Sequence, residues 1–156
     1  MKLQHLVAVF LALPLGAAAA QPPADFSGKW TFDASQSTNV GMMAQALIHA
    51  HIAQTASQLI VKTESSFNGQ SDTRQNTYAL GGEAVKNISP MGEEASTQSH
   101  WDGKTLVTEW QSAGSIANTT SIRMENRYLS ADGNTMYVES RRKSGPPMII
   151  VFTRDK

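Results

Sequence analysis

The sequence predicts an all-β protein, an antiparallel up-and-down meander of eight to ten strands closed into a barrel, with at most one short helix after the first strand. Three observations predict it. Apolar residues come in short runs that alternate with Ser, Thr, Asn and Gln at period two, the spacing at which side chains share one face of a strand. Asn-Gly, Asp-Gly and Gly-Pro-Pro punctuate the chain at fairly regular intervals, and tight turns of this kind join strands that are neighbours in both sequence and sheet. The last apolar run, from Met148 to Phe152, is apolar on both faces. An open edge of that composition invites aggregation, so this run is expected to pair with the opening strand and close the meander.

Phe26, Gly28, Trp30 and Phe32 share one face of the opening strand, with Lys29, Thr31 and Asp33 opposite. Residues 40–46 read as either helix or loop: Asn39 is placed to cap a short helix through Met42, Met43, Ala44 and Leu47, and Gly41 weakens it. Met42, Met43 and Leu47 would then form an apolar lid over an open barrel end, although methionine more commonly fills a core gap. From Ile48 the run Ile-His-Ala-His-Ile alternates, giving a strand over Leu47–Gln54 and, after a turn, another over Gln58–Phe67 with Leu59, Val61 and Thr63 in phase. Asn68-Gly69 suits a two-residue type I′ turn, which needs positive φ at both positions, and it sends residues 72–80 back antiparallel. Gly81-Gly82 ends that strand, and residues 83–92 read as a loop.

A strand over 94–101 leads through Asp102-Gly103 into 105–111, where Leu106, Thr108 and Trp110 share a face. Beyond a reversal at Gly114, a long strand over 116–129 carries Ile122, Met124 and Tyr128 on one side and Arg123, Glu125 and Arg127 on the other. Tyr128 is expected to face inward. Asp132-Gly133 and Gly145-Pro146-Pro147 then bound the strands Thr135–Arg142 and Met148–Arg154, for about nine strands in all.

Residues 1–20 have the parts of a cleavable export signal: Lys2, an apolar run over 6–16, and small residues over 17–20 that offer an A-x-A site. The run is too short to cross a bilayer, which asks for about 20 apolar residues, so no stable membrane insertion is expected after cleavage. The expected mature chain, 21–156, is one domain of about 135 residues, located in the periplasm or outside the cell. It has no cysteine, which excludes disulfide staples, thiol nucleophiles and thiolate metal sites. Loss of Lys2 leaves 12 basic against 13 acidic side chains, so no basic field exists to hold nucleic acid. The tightest basic cluster, Arg141-Arg142-Lys143, reads as a solvated strand end. Oligomeric state is not legible.

Phe26-Ser27-Gly28-Lys29-Trp30 resembles the G-x-W opening of a lipocalin barrel, and Trp101-Asp102-Gly103-Lys104-Thr105-Leu106 and Leu129-Ser130-Ala131-Asp132-Gly133-Asn134-Thr135 follow in matching order. Over nearly the whole mature chain the sequence resembles the small exported bacterial domains of lipocalin-like, or calycin, type. The resemblance implies a small barrel with one internal cavity for a hydrophobic or amphipathic molecule. It also implies that an arginine of the last strand, here Arg154, packs over the tryptophan, here Trp30, and closes one barrel end. The lipocalin disulfide and middle motif are missing. A second expectation borrows from fatty-acid-binding barrels, where inward arginines of late strands hold a ligand carboxylate; Arg142 and Arg154 are the candidates, without the tyrosine that completes that pattern.

The candidate ligand-binding residues are therefore Trp30, Phe32, Trp110, Tyr128, Arg142 and Arg154. His49, His51 and His100 are candidates for a three-nitrogen zinc site; the plainer reading leaves His49 and His51 in solvent opposite Ile48, Ala50 and Ile52. No Gly-x-Ser-x-Gly elbow, phosphate loop or dinucleotide fingerprint occurs, so no catalytic residue and no cofactor is expected. Noncovalent binding of a small apolar or amphipathic molecule is the leading functional expectation. A structural or interaction module of the cell envelope with a packed interior is the alternative, and a barrel isomerase or hydrolase comes third.

Overall fold

The computed structural model describes residues 23–89 and 92–156; the expected leader, residues 1–20, lies outside the described residues. Ten strands follow one another: β1 Gly28–Phe32, β2 Leu47–Gln54, β3 Gln58–Phe67, β4 Gln70–Ala79, β5 Val85–Ile88, β6 Glu94–Asp102, β7 Thr105–Ala113, β8 Thr120–Leu129, β9 Thr135–Arg142 and β10 Met148–Arg154. They form one antiparallel sheet in the order β4-β3-β2-β1-β10-β9-β8-β7-β6-β5, curled into a nearly closed barrel. The last strand pairs with the first, Trp30 opposite Arg154 and Phe32 opposite Phe152, which gives the two-faced apolar run its partner. The segment after β1 runs on beside it, with Asp33 N–H donating to Val151 O, Val151 N–H donating to Ser37 Oγ, and a bridge between Thr38 and Ile149. Val151, on the outward phase, is buried too.

Closure leaves one seam, where β4 and β5 run side by side without a backbone ladder. Two asparagines bridge it. Asn87 Oδ1 accepts the Thr77 N–H at 2.9 Å while its Nδ2 donates to Thr77 O and Thr97 Oγ1, each at 2.8 Å. Asn76 does the reverse, accepting the Ile88 N–H and donating to Ile88 O, both at 3.0 Å. A side-chain amide has the same donor and acceptor as a peptide group, so each asparagine replaces one rung of the missing ladder.

The structure corrects four sequence expectations. The 83–92 stretch is not all loop: Val85–Ile88 forms β5, laddered antiparallel to β6 from Val85 opposite Thr97 to Ile88 opposite Glu94. The long strand starts at Thr120 rather than residue 116, since Gly114 N–H donates to Thr119 O and Thr119 N–H to Ile116 O, closing a turn there. The segment after β1 holds one 3₁₀ turn, Gly41–Gln45. Asn39 does not cap it, having positive φ and donating through Nδ2 to Pro147 O. The fourth correction is the phase of β8, taken up below. The Asn68-Gly69 turn has φ of 49° and 75°, the positive pair that a type I′ hairpin needs.

One end of the barrel is filled. Phe26 and Trp30 are fully buried there with Leu106, and Phe26 stacks on Trp101 at 5.9 Å. The other end, edged by the 3₁₀ turn and the β3–β4, β5–β6 and β7–β8 connections, opens into the interior.

Candidate functional site

The interior holds a cavity of about 310 Å³. Its apolar wall comes from the inward phases of four strands: Ile48 and Ala50 of β2, Val61 of β3, Met136 and Val138 of β9, Ile150 and Phe152 of β10. Met43, from the 3₁₀ turn, lies against the open end, while its neighbours in the expected lid, Met42 and Leu47, are 75% and 70% exposed. The opposite wall is polar. It carries Asp72, Arg74, Asn76 and Tyr78 of β4 with Glu125 and Arg127 of β8.

Glu125 and Arg127 are two residues apart on one strand, so both point inward, and Arg127 Nη2 donates to Glu125 Oε1 at 3.1 Å. Each side chain is 8% exposed. The Arg127 guanidinium also lies 5.4 Å from the Tyr78 ring centroid, Tyr78 meets Trp110 edge to face at 5.9 Å, and Arg123 lies 4.7 Å over Trp110. Two cations and two aromatic faces thus form one continuous stack, favourable because the ring quadrupole attracts positive charge. Burial, and next the charge of Glu125, push the Tyr78 hydroxyl well above its ordinary pKa, so it stays protonated. Arg127 Nη1 and Trp110 Nε1, with Arg123 Nε and Nη2, are buried donors without a hydrogen-bond partner. Chemically, the cavity offers a large apolar surface and, at depth, a paired guanidinium and carboxylate.

The expected site residues separate. Trp110 lines the cavity. Trp30 and Phe32 are core: Trp30 donates from Nε1 to Phe26 O at 2.9 Å, and Phe32 packs edge-on to Phe152 at 6.0 Å. Arg154 lies over Trp30 at 4.1 Å and donates to the carbonyls of Gly133, Ser27 and Asp25, a plug for the filled end with no group left facing the cavity. Arg142 keeps the phase of Met136, Val138 and Ser140, but as the last residue of β9 it is exposed at the rim and does not line the cavity.

Tyr128 is on the outer face, stacked on Tyr137 at 5.1 Å, and Arg123, Glu125 and Arg127 take the inward phase instead. Equating apolar with inward fails on β8 because this barrel wall is charged. The register shows why: Trp110 pairs with Arg123, Thr108 with Glu125 and Leu106 with Arg127, so the charged residues share the face of the inward set of β7. His49, His51 and His100 are exposed, with His49 Nδ1 at 3.1 Å from Thr31 Oγ1. Among the described residues no group of three His, Cys, Asp or Glu side chains stands close enough to hold a metal.

Sequence reasoning missed Tyr78, Glu125 and Arg127 as site residues. The available signal was the strict alternation of three charges on one strand, with opposite signs two residues apart. Such a set is either wholly outside or wholly inside.

No family model matches the chain, and no curated protein matches it by sequence. Among solved structures it is similar to a REP1-NXSQ fatty acid transporter, with 17% identity and a TM-score of 0.65 over 83% of this chain and 96% of the other. Fatty-acid-binding protein 1 of Echinococcus granulosus aligns with 14% identity and a TM-score of 0.65 over 84% and 98% of the two chains. Human cRBP IV aligns with 19% identity and a TM-score of 0.63 over 85% and 100%. At such identities the likeness is one of fold. What the chain shares with them is the fold, here a ten-stranded antiparallel meander curled into a barrel.

Proposed function

We propose that the protein binds a small apolar or amphipathic molecule noncovalently inside the barrel. The observation that carries this reading is the hollow interior: about 310 Å³, apolar on one wall, with the buried Arg127, Glu125 and Tyr78 as a compact polar anchor on the other. Ligand sites of this kind are mostly apolar with a few convergent polar groups. The names of two similar structures, a fatty acid transporter and a fatty-acid-binding protein, agree with an apolar ligand. A hollow interior also favours ligand binding over a structural module, which has no use for empty space. We place this function in the periplasm or outside the cell, with a single barrel domain starting near Gln21 once residues 1–20 are removed, on the strength of the leader-like sequence.

Titration with the uncharged dye Nile red tests the binding reading. One dye per chain, with blue-shifted emission and displacement by oleyl amphiphiles, is the expected result; no uptake by folded protein contradicts it. N-terminal sequencing of the protein from its own host tests export and should find a start near Gln21.

A further inference from the structure

We infer that the cavity selects amphiphiles whose head group is an uncharged hydrogen-bonding group, an alcohol or primary amide, over those with a carboxylate. The inference rests on the ligand-binding reading and adds to it the chemistry of the head. Its basis is the charge count on the cavity wall. Two guanidiniums and two carboxylates line the cavity, and they are paired internally: Arg74 Nε with Asp72 Oδ2 at 2.6 Å toward the open end, and Arg127 Nη2 with Glu125 Oε1 at 3.1 Å at depth. Tyr78 adds no charge, its hydroxyl being held protonated. The wall is therefore neutral and its deep cation already has an anion.

A ligand carboxylate placed on Arg127 would be a second anion on one cation, beside Glu125 in a water-poor site. Two carboxylates sharing such a site do not both ionise without a large penalty. An uncharged head leaves the ion pair whole and uses what it has to spare. The second oxygen of Glu125 can accept from the O–H or N–H of such a head. Arg123 does not line the cavity. Its guanidinium is held over the Trp110 ring.

The test compares three ligands of one chain length, oleate, oleyl alcohol and oleamide, in displacing Nile red from the wild-type chain at about pH 8, where a dissolved carboxylate is ionised. The alcohol and the amide are expected to displace the dye at about tenfold lower free concentration than oleate. In Glu125→Gln the uncompensated Arg127 should accept the fatty acid, bringing oleate to parity or better. Oleate equal or superior to the uncharged ligands in the wild type overturns the assignment, as does an unchanged ranking in a folded Glu125→Gln variant. The wild-type ranking decides the matter even if that variant does not fold. Failure of all three ligands and the dye to bind contradicts the binding reading itself, and the head-group assignment with it.

Discussion

Replacing Asn87 by Ala should open the barrel at its one unladdered seam. The Asn87 side chain is 6% exposed and makes three hydrogen bonds, one accepted from Thr77 N–H and two donated to Thr77 O and Thr97 Oγ1. Its loss removes those bonds and strands a part-buried peptide N–H that no neighbouring strand can reach. Orphaned buried groups cost about 1 to 3 kcal/mol each and net hydrogen bonds about 1, so a loss of roughly 3 kcal/mol is expected. For a domain of this size that corresponds to a fall in Tm of about 10 °C. Asn87→Asp sharpens the argument: it retains the acceptor for Thr77 N–H but sets a carboxylate oxygen against Thr77 O, so at neutral pH it should be no better than Ala. Urea denaturation gives the total, and amide hydrogen exchange locates it. Exchange at Thr77 should accelerate more than at residues on the β1–β10 junction. Unchanged protection at Thr77, with under about 1 kcal/mol lost, would refute the claim that asparagine amides stand in for the ladder.

Arg154→Ala should cost about 3 kcal/mol, because it removes the cation over Trp30 and leaves the carbonyls of Gly133 and Ser27 without their donor; thermal melts check it, and Arg154→Lys should recover less than half. Gly28→Ala should act on the same plug, since a Cβ there would stand 2.8 Å from Arg154 Nη1 on a backbone with φ of +129°. Combined with Arg154→Ala it should cost less than the two changes separately, which a double-mutant cycle measures. The Asp132 carboxyl is held at a pKa of about 2 by Ser130 and Asn134, below its ordinary 3.8. A depressed folded pKa stabilises above the unfolded value, and this contribution disappears as pH falls from 3.8 toward about 2. Asp132→Asn should therefore be less stable than wild type in urea at neutral pH, with the difference vanishing at the acid end of that window.

Most strands were legible because their turns are chemically explicit. Asn68-Gly69, Asp102-Gly103 and Asp132-Gly133 fix where the chain reverses, and alternation then assigns the inward faces of β2, β3 and β7. The pairing of the two-faced β10 with β1 followed from the cost of an apolar edge. β5 was hidden because it is only four residues long and half its pairing is supplied by side chains, which no periodicity reports. The site was harder. The turn between β7 and β8 has no tight-turn dipeptide, so its length, and with it the phase of β8, could not be set from sequence; a one-residue shift exchanges Tyr128 for Arg127. Tyr78 escaped for another reason: its importance comes from meeting Trp110 and Arg127 across the interior, a contact between residues far apart in the chain.

On the proposed reading, a ligand sits in the hollow of this barrel. Ala50 is 2% exposed and lines the cavity, so Ala50→Trp puts an indole into that space. Overpacking of this sort costs about 1 to 3 kcal/mol and leaves such a barrel folded, which circular dichroism verifies. Nile red titration of the folded variant is the deciding measurement. Loss of dye binding is the predicted result; binding as tight as in the wild type would contradict the account.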